Sequence, residues 1–297
     1  MFAPRIVLVT RPTEIEALIA QHGTLEQGRF VLASQGRSTD DLAQRHQAIK
    51  AALATVMGSL PSAWRRVRLD RSDLDRFLFE PDDVIVPVGQ DGLVANVAKY
   101  LDGQPVIGVN PAPAAYEGVL VQHRAESVVP TVERILAARA TFRERTMVAA
   151  TFGDGQRVLA LNEIFIGHRS HQSARYELGF GDTFEHQSSS GVIVTSGTGG
   201  TGWARSIDRE RREPIPLPAP EDRRLAYFVR EAFPGSGFAV EHTGGTIEPD
   251  GTLVVRSEMN EGGVVFGDGI EDDRVDFGWG MTARVSVAAE RLRLVAA

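Results

Sequence analysis

Asp83-Val84-Ile85-Val86-Pro87-Val88-Gly89-Gln90-Asp91-Gly92-Leu93 is the stretch on which the fold turns. Val84 to Val88 is continuous, apolar and β-branched, the pattern of a strand covered on both faces in a parallel sheet. Two glycines around Gln90 and Asp91 then turn the chain into a helix predicted over Leu93 to Leu101. Another strand is predicted over Pro105 to Asn110. Upstream, Arg5 to Thr10 reads as a buried strand. Pro12 is suited to a helix start and Gly23 to its end. A second helix is predicted over Thr39 to Met57, with Leu42, Ile49, Leu53 and Val56 on one face, and a short strand over Val67 to Leu69. Strands alternating with helices specify a doubly wound α/β domain with a parallel sheet, assigned to residues 1–128.

After Val128 the rhythm changes. A helix over Thr131 to Ala140 leads into strand-like segments at 146–152, 157–166, 174–180 and 190–195. Glu210 to Arg224 is polar and rich in Pro and Arg, and reads as an exposed loop. Strands resume at 237–242, 252–257, 282–287 and 290–295. This second region is predicted to be mainly β, a domain over residues 129–275.

The chain has 297 residues, enough for two compact domains. A formal charge of −7 supplies no positive field to gather polyanions, so neither nucleic acid nor an anionic membrane is an expected partner. Cysteine is absent, which excludes disulfides, thiolate nucleophiles and Cys-based zinc sites. No run approaches the roughly 18 apolar residues of a membrane span. The expected compartment is the cytoplasm.

Three places carry chemistry. Gly89-Gln90-Asp91-Gly92 stands at a strand-to-helix corner, where ligands of open α/β sheets bind. Glycines there let a phosphate approach the backbone, and the helix N-terminus offers unpaired N–H groups. Asp91 either accepts a proton from a hydroxyl nucleophile or caps the helix. Asn162-Glu163 interrupts the apolar run Val158 to Ile166, and a buried unpaired amide or carboxylate costs on the order of several kcal/mol. Ribose hydroxyls would satisfy the pair, as would water at an edge or a bulge. Gly197-Thr198-Gly199-Gly200-Thr201-Gly202-Trp203 follows the strand Val192 to Thr195 and opens a short helix, the makings of a polyphosphate cradle. It lacks the Gly-Lys-[Ser/Thr] of a Walker loop and the downstream acidic residue of a dinucleotide fingerprint. His168-Arg169-Ser170-His171 reads as a surface turn, and Asp268, Glu271, Asp272 and Asp273 as a solvated acidic loop. No side chain is assigned as a metal ligand.

Together the three motifs resemble those of the NAD kinase superfamily. Gly89-Gln90-Asp91-Gly92-Leu93 is similar to its GGDGT signature, with Gln90 and Leu93 standing in place of glycine and threonine. Asn162-Glu163 matches its NE motif, and Thr198 to Trp203 its TGSTAY-like loop. Pro105 to Asn110, Glu117-Gly118, Ser189-Ser190-Gly191 and Trp203 resemble the mitochondrial branch in particular. The resemblance implies an N-terminal α/β domain, a β-rich C-terminal domain, and a last segment (276–297) returning to pack on the first, with the dinucleotide between the two. It implies transfer of a phosphoryl group from ATP, with a divalent cation such as Mg²⁺, to the 2′-hydroxyl of the adenosine ribose of NAD. Asp91 would be the base, Asn162 and Glu163 would hold the other ribose, and Gly89 and Gly92 would approach phosphates. Thr198, Gly199, Thr201, Gly202, Trp203 and Ser206 would line the NAD pocket, with Asn110 also at the cofactor. A homodimer is implied as well.

Two other functions fit the same residues. Gln90 puts a side chain where the donor would sit and gives up glycine's left-handed freedom, and Leu93 removes a hydroxyl, so one alternative is an NAD(P)-binding regulatory protein without turnover. The other is a kinase for a different hydroxyl, of a lipid or a sugar.

Overall fold

A computed structural model describes residues 3–36, 38–181 and 183–297 of the chain. It divides into two compact units, residues 1–143 with 293–297, and residues 144–292.

The first unit is the α/β one. In chain order it contains β1 (Arg5–Thr10), α1 (Glu14–His22), α2 (Leu25–Ser34), α3 (Asp40–Ser59), β2 (Arg65–Asp70), β3 (Asp83–Pro87), α4 (Asp91–Ala98), β4 (Pro105–Val106) and α5 (Val128–Leu136). Its sheet runs β2-β1-β3-β4 with every pairing parallel. Ile6 and Leu8 face Ala52, Leu53 and Val56 of α3 and Val128 and Val132 of α5 in one core cluster. Val7 and Val9 point to the opposite face and are fully buried too, so both faces are covered, as the unbroken apolar strand pattern demands. Arg5 grips Asp83 through two 2.6 Å hydrogen bonds, tying the first strand to the third at the edge of this core.

The second unit is built of strands. It holds β5 (Phe142–Phe152), β6 (Arg157–Ala160), β7 (Glu163–His168), β8 (Ala174–Phe180), β9 (Thr183–Ser189), β10 (Val192–Thr195), α6 (Trp203–Glu210), β11 (Leu225–Val229), β12 (Gly244–Ile247), β13 (Leu253–Ser257), β14 (Gly263–Gly267) and β15 (Val275–Asp276). One sheet has the order β12-β11-β10-β7-β14-β15, and its pairings are antiparallel. β8, β9 and β13 pair in the other, beside a long last strand, β16 (Thr282–Val295). Ile164, Val194 and Tyr227 of the first sheet meet Tyr176, Leu178, Val255 and Val285 of the second in a shared core. β16 belongs to both units: Thr282 to Val285 pair with β13, while Arg293 and Leu294 lie parallel to Pro105 and Val106. The α/β unit, the mainly β unit and the returning C-terminal segment are therefore the predicted fold class.

Several elements differ from the sequence reading. The first helix begins after Thr13, whose hydroxyl accepts from the Glu16 N–H while the Glu16 side chain accepts from the Thr13 N–H. Thr24 caps a helix that the sequence did not reveal, α2, one residue after Gly23. The predicted strand 237–242 does not form; β11 and β12 supply the pairing instead. β11 is wholly buried and so short that it shows no periodicity, and Gly244-Gly245 hides a strand whose glycines make room for Tyr227. The segment 157–166, read as one strand, is two, broken at Leu161-Asn162. No helix among the described residues is long and apolar enough to cross a membrane.

Candidate functional site

The predicted residues fall into two groups, one in each unit. In the first unit, β3 delivers the chain to Gly89 and Gln90, and α4 begins at Asp91. Gln90 has φ −98° and ψ 169°, ordinary extended backbone that any residue adopts. The strain expected from replacing glycine there is absent, because this corner needs no left-handed residue. The Gln90 side chain is held at 2.9 Å by the Arg11 guanidinium. Leu93 is buried, and a Cβ on Gly89 would lie 3.2 Å from it, so Leu93 serves the packing beneath the turn.

Asp91 does not cap the helix in the ordinary way. Its Oδ1 accepts from the Leu120 and Val121 N–H groups at 2.8 and 3.1 Å, and its Oδ2 from Val119 at 2.9 Å. A carboxylate has about four lone-pair sites, and three are used to hold the 119–121 segment. One site on Oδ2 is left. Gly108 explains how that segment comes so near: a Cβ there would sit 2.1 Å from the Leu120 carbonyl oxygen. Tyr116 donates its hydroxyl to the Gly89 carbonyl at 3.0 Å. Burial, then the Asp91 charge, push this phenol up to about 12, so it stays a donor. The Asn110 side chain is occupied internally, donating to the Tyr116 carbonyl and accepting from the Ala112 N–H. Its visible task is to shape this loop.

In the second unit the other two motifs meet. The Asn162 carbonyl accepts from the Ser196 N–H at 2.8 Å and from the Thr195 hydroxyl at 3.1 Å. The Ser196 hydroxyl reaches the Leu161 carbonyl at 2.5 Å. A Cβ on Gly199 would fall 2.5 Å from the Asn162 carbonyl oxygen, so only glycine lets the loop seat on the turn. Thr198 buries a hydroxyl that has no partner among the described residues, the kind of group a ligand or water completes. Thr201 and Gly202 are exposed, as are Trp203 and Ser206, which lie three apart on α6. Trp203 stacks on Phe165 at 5.9 Å and 17°, with the Arg230 guanidinium 5.1 Å from its ring centre. Arg230 had no sequence signal, lying at the end of the undetected strand β11.

Glu163 stands half-buried at the start of β7. Burial first, and the charge of Asp268 second, push its carboxyl up to about 7. Among the described residues, neither its carboxyl nor the Asn162 amide has a hydrogen-bond partner, so both are available to a polar ligand. Asp268, expected in a solvated acidic loop, instead sits against this turn and accepts from the Leu161 and Asn162 N–H groups at 2.9 and 2.7 Å. Among the described residues the one cluster of three metal-ligand side chains is Glu177, His186 and Glu258, outside every predicted motif.

A parallel α/β unit joined through its last strand to a β-rich unit is the fold of the NAD and NADH kinases. A yeast NADH kinase solved with NADH matches 99% of this chain and 84% of its own, with a TM-score of 0.61 at 14% identity. An NAD kinase of Archaeoglobus fulgidus solved with ATP matches 98% and 93%, with a TM-score of 0.59 at 17% identity. At sequence level, the mitochondrial NAD kinase 2 of Rattus norvegicus is 29% identical over 256 residues, covering 69% of this chain and 60% of that protein. The chain spans about half the length of the curated relatives it matches. No protein-family model matches it. The fold is thus the one seen in solved NAD and NADH kinases, and the sequence relatives are NAD kinases.

Proposed function

We propose that this protein is an NAD kinase that transfers the γ-phosphoryl group of ATP to the 2′-hydroxyl of the adenosine ribose of NAD. The observation that carries the reading is the joining of Asn162-Glu163 to the Gly197–Trp203 loop, which sets two unpartnered polar side chains beside an aromatic shelf. Asn162 and Glu163 bind the nicotinamide-side ribose; Thr198, Gly199, Thr201, Gly202, Trp203 and Ser206 line the rest of the NAD pocket. Gly92, in the first turn of α4, offers its N–H to phosphate oxygens, as helix N-termini do. Gly89, whose N–H is given to the Val109 carbonyl at 3.0 Å, leaves room for them by its missing side chain.

In the transfer step, the ribose 2′-oxygen forms a bond to the γ-phosphorus of ATP as the bond from that phosphorus to the β,γ-bridging oxygen breaks. ADP leaves with the electron pair, and the hydroxyl proton passes to the free position on Asp91 Oδ2. The backbone bonds from 119–121 fix that carboxylate in one orientation, which is what a positioned base requires. Phosphoryl transfer depends mostly on positioning and charge neutralisation. A divalent cation such as Mg²⁺ would supply charge neutralisation on the phosphates of ATP when bound. The protein is further read as a cytoplasmic homodimer of the mitochondrial NAD kinase type.

The test is NADP formation from NAD and ATP, read by a cycling assay. Asp91→Asn is expected to lower turnover by at least a hundredfold, the order of a lost general base, with little change in NAD affinity. Unchanged turnover removes Asp91 from the chemistry. One observation favours a second reading, an NAD(P)-binding protein without turnover: three of the Asp91 lone pairs are already in structural use. Calorimetric NAD binding with no product from ATP or polyphosphate would establish it.

A further inference from the structure

Two strands that the sequence runs together are parted by one side chain from a distant loop. Asp268 has φ 53°, in the left-handed region, and its own N–H donates to the Glu163 carbonyl at 3.0 Å. Its two carboxylate oxygens each accept one N–H, from Leu161 and from Asn162. Gly267 brings it there, since a Cβ at that position would press within 3.0 Å of the Leu159 carbonyl oxygen. From the opposite side the Ser196 N–H and hydroxyl hold the carbonyls of Asn162 and Leu161. The backbone of the turn is thus bonded on both sides, leaving the Asn162 and Glu163 side chains as its open groups.

We propose that Asp268 is a positioning residue for dinucleotide binding: its carboxylate fixes the turn that aims Asn162 and Glu163 at the ribose. The proposal rests on the NAD-binding reading given above. The geometry requires a carboxylate, because two adjacent N–H groups each take a separate oxygen and an amide offers only one. The charge matters because Glu163 has Thr195 opposite it on β10 and Gly267 opposite its neighbour Ile164 on β14, neither of them charged. Burial raises the Glu163 carboxyl first, and the Asp268 charge adds to it. A neutral Glu163 both donates to and accepts from a ribose hydroxyl, whereas an ionised one only accepts. A ligand covering the turn also removes water from two neighbouring carboxylates, which penalises the doubly ionised pair. Affinity for the dinucleotide is therefore expected to fall as pH rises through about 7.

The experiment compares wild type with Asp268→Asn. On ligand-free protein, amide exchange at Leu161 and Asn162 and the ¹³C titration of the Glu163 carboxyl are read by NMR. NAD affinity is read by calorimetry across pH. The variant is expected to speed exchange at both amides at least tenfold, to move the Glu163 midpoint to lower pH, and to weaken NAD about tenfold, the effect of losing a charge-assisted hydrogen bond. Unchanged exchange and midpoint overturn the proposal, as does lost protection with unaltered NAD affinity, which would make the brace merely structural. If the variant folds poorly, Glu163→Gln reads the same linkage from the other partner. It should abolish the pH dependence of binding and leave both amides protected, and persistence of that dependence overturns the idea. A wild type that binds no NAD refutes the functional reading and the positioning role with it, while the two ligand-free measurements still judge the brace.

Discussion

Glu163→Gln should make the stability of the second unit less sensitive to pH. The carboxyl of Glu163 titrates at about 7 in the folded protein against an ordinary value of 4.5. At about 1.4 kcal/mol per pH unit, this raised affinity for a proton corresponds to about 3 kcal/mol. A carboxyl raised on folding contributes stability that is fully present below its unfolded value and lost as pH climbs through its folded one. Wild type therefore loses about 3 kcal/mol from this group between acid and alkaline pH, and roughly 2 kcal/mol of that between about pH 5.5 and 8.5. The glutamine variant cannot ionise and loses none of it. Urea unfolding at intervals across that window, in a Trp64→Phe background, leaves Trp203 and Trp279 of the second unit as reporters. The variant minus wild-type difference should grow by about 2 kcal/mol from the acid to the alkaline end. Two curves that run parallel would show that Glu163 titrates as an exposed carboxyl, and the argument from burial and Asp268 would fail.

Arg5→Ala leaves Asp83 fully buried without its cation, and a loss of about 3–5 kcal/mol is expected in denaturant melts of the first unit. The double variant Arg5→Met, Asp83→Leu is expected to recover most of that loss, because no buried charge is then left unpaired; a double variant as unstable as Arg5→Ala would refute the argument. Trp203→Ala removes both the Phe165 stack and the Arg230 contact, each worth on the order of 1 kcal/mol. NAD affinity by calorimetry should drop about tenfold, and the melting temperature should fall by a few degrees as these contacts within the protein are lost.

Much of the first unit was legible because local patterns decide it. Val84 to Val88 and Ile6 to Val9 are apolar without alternation, and such strands must be covered on both faces. The three motifs stand in the sequence at recognisable corners, two of them where a strand gives way to a helix. β11, β12 and β14 were missed for the opposite reason: they are short, and what holds them is pairing with remote strands.

The site was legible in its residues and hidden in its connections. Asn162-Glu163 stood out as polar residues in an apolar run, yet nothing local shows that Asp268, over a hundred positions later, supports their turn. The same residue looked like part of a solvated acidic loop, since charge in a sequence carries no record of which backbone amides it will meet. Gln90 was expected to strain its corner, and the backbone angle there proved ordinary. The amino-acid order alone fixed which segments become strands or helices where they are long and regular, and which residue types could do phosphoryl chemistry. Tertiary structure decided which lone pairs remain free for it, because hydrogen bonds from distant amides to Asp91 and Asp268 form only once the chain has closed on itself.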